Sequence, residues 1–508
     1  MTGNLQEAVK KLQEAGYQLS LEGFNRLKSL NGRVDPLKVA EKILEAAREK
    51  VLSLPFVDAS LVEEAVKKLE PAREETVLSF EPSGKPVFRP LAREYEAEIE
   101  VLKDPTGETA SKGDVESFLK HFRDRFERLK RILMQRLDCR DASSLQEALS
   151  QPQGSKVKFV CMVSEKFSRG RRVFLRVEDP EASATVMFQP TVQNPNLAEK
   201  ASSVFPDQVI CVSAVRLKGD FFAAEDLMLP EIPHHKPHLV EEPLTALLIS
   251  DLHVGSKLFE GQLFRRMLSW LKGEFGGRTL REAASRVKYL VIAGDLVDGV
   301  GVYPEQEREL EIPDIYRQYE EVARLLEEVP DYIQILAIPG NHDATRKALP
   351  QPAINRSYGE ALHRLSNLLL LGNPSTVKLH GAVFLLHHGR SLEDVLAMLP
   401  EANHEQPVKA MVALLKARHL APIYGQRTPI APEPQDWMVV DQVPDYYHAG
   451  HIHIYGYTVY RGIRVVNSGC WQRQTSYQQR LGLTPTPATA ILANLQDASI
   501  SLLDFRRI

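Results

Sequence analysis

In its second half this chain runs repeatedly from a short, almost wholly apolar segment straight into Asp, Asn and His: ALLISDLH, YLVIAGDLVD, IQILAIPGNHD and AVFLLHHG, with helical stretches between them. A strand with apolar side chains on both faces has to be covered on both faces. Runs of this kind therefore predict an α/β layered fold with buried sheets, and the polar clusters mark the site at the strands' carboxyl ends.

The clusters are Asp251-Leu252-His253, Gly294-Asp295-Leu296-Val297-Asp298, Gly340-Asn341-His342-Asp343, His387-His388-Gly389 and Gly450-His451-Ile452-His453. Strand-end alternation is expected to put Asp251 and His253 on one side, and the i, i+2 pair His451 and His453 likewise. Carboxylate, amide oxygen and imidazole without thiolate describe a site for manganese, iron, zinc or magnesium. Two such ions ~3.5–4 Å apart, bridged by one carboxylate, would clamp a phosphate oxygen and activate water for in-line attack. That chemistry is phosphoester hydrolysis. A lone DxH or GD pair is commonly a turn; the ordered set is what points to a site. Past the clusters, Arg390, Arg346 and Lys347 are candidates to neutralise a phosphate or position a strand, with surface solvation an equal reading of Lys347, and the Tyr303-Pro304-Glu305-Gln306 loop is either a lip over a strand or an ordinary connection.

A chain of 508 residues exceeds what one core supports, so two to four domains are expected. From Asn4, as helix cap, to Gly16, as stop, Leu5, Ala8, Val9 and Leu12 form a helical stripe. A second helix passes through Phe24 and Leu27, and Asp35-Pro36 opens a third. Residues 1–70 thus read as a helical module. Residues 71–150 read as a Pro/Gly-rich linker followed by a charged helix, SFLKHFRDRFERLKRILMQRL, whose basic run is expected to be a solvated face. Residues 151–235 carry five short β-rich runs and suit a five-stranded barrel of the OB type. On it, Lys166, Arg169 and Arg171 with Phe167 and Phe174 form either a strand-binding surface or the exterior of a scaffold. His234, His235 and His238 punctuate the junction before residues 240–508.

Composition removes other classes. Hydrophobic residues make up 43% and charged residues 26%, which is ordinary for a globular protein. The four cysteines, Cys139, Cys161, Cys211 and Cys470, form no CxxC pair, so a disulfide scaffold is excluded and a reducing, cytoplasmic setting is expected. No apolar run approaches the ~20 residues that span a bilayer. With 63 basic and 67 acidic residues the net charge is formally -4, so any nucleic acid must be held by local patches and bound cations.

The ordered motifs D-x-H, G-D-x-x-D, G-N-H-D, H-G and G-H-x-H over residues 245–475 resemble the calcineurin-like metallophosphoesterase superfamily. The resemblance implies a β-sandwich flanked by helices. It also implies one ion on Asp251, His253, Asp295 and His453, and a second on Asp295, Asn341, His388 and His451. His387 stays open as the alternative to His388. The resemblance further implies His342 as the general acid, oriented by Asp343, while Asp298 and His448 are support residues. Together with the preceding barrel, the segments SDLHVGS, GDLVDGVGVYPEQE, PGNHDATRKALPQP, HHGRS and HAGHIHIYGY resemble the small subunits of archaeal family-D DNA polymerases. That resemblance implies a 3′-to-5′ exonuclease acting on single-stranded and primer-template DNA. It further implies two divalent ions, manganese foremost, and a heterodimer with a large polymerase subunit. The alternatives are a non-catalytic assembly subunit and a stand-alone phosphodiesterase.

Overall fold

Apolar residues at consecutive strand positions point alternately to opposite faces, and the molecule covers both. Thr245–Ile249 and Val287–Ala293 are buried at every position and pair in parallel. Gln334–Ile338 and Leu368–Leu370 extend the parallel run, while Thr489–Asn494 and Ile500–Asp504 complete a six-stranded sheet antiparallel. In a second six-stranded sheet, Tyr446–Ala449 lies parallel to both neighbours, Ala382–Leu386 and Ile463–Ser468. Ala246, Leu248, Tyr289 and Val291 of the first sheet meet Val377, Phe384, Leu386 and Tyr446 of the second in one core. The alternate residues Leu247, Leu290 and Ile292 pack under Phe264, Trp270 and Tyr319 of the helices Gly261–Leu271 and Ile315–Leu326. Leu385, Tyr447 and Val465 pack likewise under Val395, Met411 and Leu414 of Leu392–Met398 and Pro407–Ala417. The result is a β-sandwich with helices on both outer faces, the layered fold expected from the apolar runs.

This computed structural model describes residues 88–399 and 403–508, with 2–15, 17–29, 35–49 and a few positions from 56 to 66. Residues 1–77 and 78–508 are two compact units. In the first, Thr2–Glu14, Leu21–Ser29 and Pro36–Glu49 are helices around Ala8, Leu12, Leu27, Val39 and Ile43. The first helix starts before Asn4, which therefore does not cap it. Asp35 does cap the third, its Oδ1 accepting from Leu37 N at 3.1 Å. Gly16 and most of the Pro/Gly run lie outside the described residues.

In the second unit, Lys156–Arg169, Arg172–Glu178, Ser183–Phe188, Val209–Arg216 and Phe221–Met228 close a five-stranded barrel in the order first, second, third, fifth, fourth. Phe159, Leu175, Val186, Ile210 and Phe222 fill it. Two expectations change. Ile99–Lys103, in the segment read as linker and charged helix, is an edge strand antiparallel to Ser375–Leu379, with Ala97 and Ile99 against the inter-sheet core. Local pattern was no guide to it, because Glu100 and Val101 are both exposed and its burial does not alternate. The charged helix Val115–Met134 is not simply solvated: His121 and Arg125 are buried, and Arg125 Nε donates to the buried Asp436 at 2.7 Å.

Candidate metal centre

The clusters gather because each follows the carboxyl end of a parallel strand. The strand Thr245–Ile249 ends before Asp251, so strand alternation is not what aligns Asp251 with His253. Instead Asp251, His253, Asp295, His451 and His453 all adopt left-handed backbone, with φ of 53°, 52°, 51°, 70° and 62°. Non-glycine residues there cost of order 1–3 kcal/mol each, and such strain concentrates at functional sites.

Asp251, His253 and His453 place ligand atoms within 4.8 Å of one another, and so do Asp295, His388 and His451. His453 Nε2 is 3.0 Å from His253 Nε2 and 3.4 Å from Asp251 Oδ1. His388 Nε2 is 3.0 Å from Asn341 Oδ1 and 3.3 Å from Asp295 Oδ2. The same Asp295 oxygen lies 3.7 Å from His253 Nε2, so one carboxylate faces both clusters. Gly340 and Gly450 permit this closeness: a Cβ at Gly340 would overlap the Asp295 carboxylate, and one at Gly450 the Asp251 carboxylate.

Surrounding groups set the tautomers. His253 Nδ1 faces Asp298 Oδ1 at 3.0 Å and His388 Nδ1 faces the Ala293 carbonyl at 2.9 Å. Both Nδ1 atoms therefore act as donors, so Nε2 is the nitrogen that faces inward on each ring. His453 differs, because Gln478 Nε2 donates to its Nδ1 at 3.0 Å while Gln478 Oε1 accepts from Thr475 N. Its Nε2 then donates to His253 Nε2, and that proton is the one a cation displaces. Burial alone would raise the Asp295 carboxyl, but His388, His342 and His253 hold it well below the carboxylate range. Burial opposes charge on His388 as well, and Asp295 overcomes it, raising the imidazole to about 9. Converging oxygens and imidazoles, most with fixed tautomers, fit a hard or borderline divalent cation.

His387 is not part of this cluster. It is buried, its Nδ1 is 3.2 Å from Tyr447 Oη, and burial lowers it to about 3. His448 supports the strand end through Ser468 Oγ at 3.0 Å. Asp298 takes Gln472 and Gln306 amides at 3.0 Å in addition to His253. His342 stands beside the first cluster, its ring 4.6 Å from that of His253 between centroids. Its Nδ1 donates to the Asp298 carbonyl at 2.7 Å. Asp343 does not orient that ring. Its carboxylate accepts from Gly340 N at 2.8 Å, Leu296 N at 3.2 Å and Tyr319 Oη at 3.1 Å, because the tight GNHD turn directs it inward to tie loops together.

The expected phosphate contacts fare unevenly. Arg346 is committed to the buried Glu433 at 2.6 Å and the Pro350 carbonyl at 2.6 Å. Lys347 donates to the Asn341 carbonyl, and Arg390 reaches the Lys347 carbonyl at 3.3 Å. On the barrel, Lys166 is spent on the carbonyls of Ser202 and Val204. Arg169 lies 5.7 Å over Phe167, which stacks on Phe174 at 5.2 Å, and Arg171 is exposed. His235 bonds Asp445 at 2.6 Å, away from the clusters. Sequence reasoning missed Glu393, whose Oε1 lies 3.4 Å from His451 Nε2, an atom buried without a hydrogen bond. Its position five residues past His388 was the available signal. It also missed Asn373, which accepts from His388 N at 3.1 Å and had no local signature.

The family model that describes the B subunits of DNA polymerases alpha and epsilon matches residues 246–455. The DNA polymerase II small subunit of Archaeoglobus fulgidus is 39% identical over 438 residues, 85% of each chain. That of Pyrococcus abyssi is 38% identical over 444 residues, 85% of this chain and 71% of the relative. Among solved structures, a novel archaeal phosphodiesterase is 13% identical and aligns with 51% of this chain and 99% of its own, at a TM-score of 0.28. At the identities and coverage of the first two relatives, the chain belongs to the family of DNA polymerase II small subunits.

Proposed function

We propose that this chain hydrolyses phosphodiesters at a two-cation centre as a 3′-to-5′ exonuclease on single-stranded DNA, proofreading for the large polymerase subunit with which it forms a heterodimer. The observation that carries the proposal is the Asp295 Oδ2 atom, 3.3 Å from His388 Nε2 in one cluster and 3.7 Å from His253 Nε2 in the other. Asp251, His253, His453 and Asp295 would hold one ion; Asp295, Asn341, His388 and His451 would hold the second, with manganese foremost and magnesium, zinc or iron as alternatives. When bound, the pair supplies Lewis-acid polarisation of the phosphate and an activated water for in-line displacement.

The chain's own groups do the rest. Asp298 and the Ala293 carbonyl fix which imidazole nitrogens face inward. His342, anchored through Nδ1, offers Nε2 for a proton transfer at the leaving oxygen. In the free protein burial, reinforced by His253, lowers His342 to about 4, so it is neutral at pH 7. The negative charge of an arriving phosphate favours its protonated form, which ties proton uptake to substrate binding. The relatives' names, DNA polymerase II small subunit, supply the polymerase partner and the DNA substrate of this reading.

Purified chain given labelled single-stranded DNA and manganese should shorten it from the 3′ end, whereas Asp295→Ala and His342→Ala chains should not. Inertness of the wild type, alone and with its large subunit, would contradict the reading.

A further inference from the structure

Beside the metal clusters the surface opens into a cleft of about 990 Å³, lined by His342, Lys347, Val300, Val302, Arg356 and Tyr358 among others. That volume is at the upper end of ligand pockets (~300–1,000 Å³). Tyr358 is 41% exposed and stacks on Tyr316, itself 52% exposed, with centroids 5.8 Å apart and planes at 16°. Two large aromatic rings left this open to water on the rim of a cleft form a ready platform for a planar group. Arg356 is exposed next to them and makes no ion pair or side-chain hydrogen bond among the described residues, its charge acting only through space on the exposed Glu360. Arg346, by contrast, is neutralised by Glu433.

We propose that this cleft is the track along which the single strand lies as its terminal phosphodiester enters the metal centre, with a base stacked on Tyr358 and a phosphate met by Arg356. The proposal rests on the phosphodiesterase reading above and adds the binding path that reading lacks. Continuity argues for it, since His342 belongs both to the metal centre and to the cleft wall. Chemistry argues for it as well: exposed aromatic faces, an unpaired guanidinium and the ammonium of Lys347 suit a strand of bases and phosphates. Either feature alone would serve an apolar or an acidic peptide; together, beside a phosphodiesterase site, they favour a single strand.

The test uses the full chain in two assays. In the first, manganese-dependent hydrolysis of a single-stranded 20-mer is compared with hydrolysis of bis-p-nitrophenyl phosphate, which is too small to span the cleft. Tyr358→Ala and Arg356→Ala are each expected to raise KM for the 20-mer by about five- to tenfold while leaving turnover of the small diester unchanged. Tyr358→Phe should keep the wild-type KM, which a role for the hydroxyl would not give. In the second assay, binding of the same 20-mer to metal-free protein is read by fluorescence anisotropy, so failure of hydrolysis leaves the track testable. Weaker binding by Tyr358→Ala and Arg356→Ala supports it. Equal affinities for all variants, equal effects on both diesters, or displacement of the strand by none but protein competitors would overturn it.

Discussion

Asp298 grips His253: its Oδ1 lies 3.0 Å from the His253 Nδ1, while two glutamine amides hold the same carboxylate from behind. The Asp298 carboxylate, which also converges with His253 and His342, thus decides which nitrogen of a candidate ligand faces inward. Asp298→Asn is expected to leave the fold intact and to weaken metal binding about 10- to 100-fold. Calorimetric titration with manganese checks this, and an unchanged affinity would remove Asp298 from the centre.

Glu393 stands in the same relation to His451, at 3.4 Å from its otherwise unpaired Nε2. The His451 contact, more than any other, pulls the Glu393 carboxyl down to about 2. Glu393→Ala should lower manganese affinity about tenfold or more, with Glu393→Gln closer to wild type because its side-chain oxygen stays beside the ring. Equal affinity in all three proteins would reduce Glu393 to a surface acid.

Glycine at 340 is required by contact, not by backbone angle. Gly340→Ala places a methyl group against both the Asp295 carboxylate and its backbone nitrogen, and a backbone atom cannot swing away. Stability should fall by about 1–3 kcal/mol, and metal affinity should fall with it. A thermal melt and a manganese titration on the same sample would show whether the two losses occur together.

Away from the centre, His419 makes stability depend on acid. Its Nε2 donates to Asp436 at 2.8 Å and its Nδ1 accepts from Ala421 N at 3.1 Å, a bonding pattern of the neutral ring. Burial, followed by the Arg125 charge beside it, lowers His419 to about 4. Unfolded, it titrates near ~6.5. The unfolded chain therefore takes up a proton first as pH falls, and stability is lost between about pH 6.5 and 4, by roughly 1.4 kcal/mol per unit. His419→Gln keeps an amide donor for Asp436 and removes the titrating proton, so its denaturation midpoint should fall less steeply over that window. Parallel pH profiles would contradict this assignment.

How much of this was readable in advance follows from where each signal is stored. Asp251, Asp295, Asn341 and His388 were legible because each follows a mostly apolar strand that has to be buried on both faces, and His451 because it forms an i, i+2 pair with His453. The left-handed turns that carry them were not, since φ at Asp251 or His453 is imposed by the assembled loops. Asp343 was misjudged because adjacency in sequence suggested contact with His342, whereas the turn directs the two side chains apart. Arg125 read as a solvated charge because its partner Asp436 lies 311 residues away. The edge strand Ile99–Lys103 was hidden in the same way: its pairing with Ser375–Leu379 spans more of the chain than any local pattern reaches.

The central claim is that Asp295 joins two cation sites. Equilibrium dialysis of the full-length chain against manganese, followed by elemental analysis, measures this directly. The expected result is two manganese ions per wild-type chain and fewer than two per Asp295→Ala chain; a wild-type chain that retains no stoichiometric manganese, or an Asp295→Ala chain that retains both ions, would contradict it.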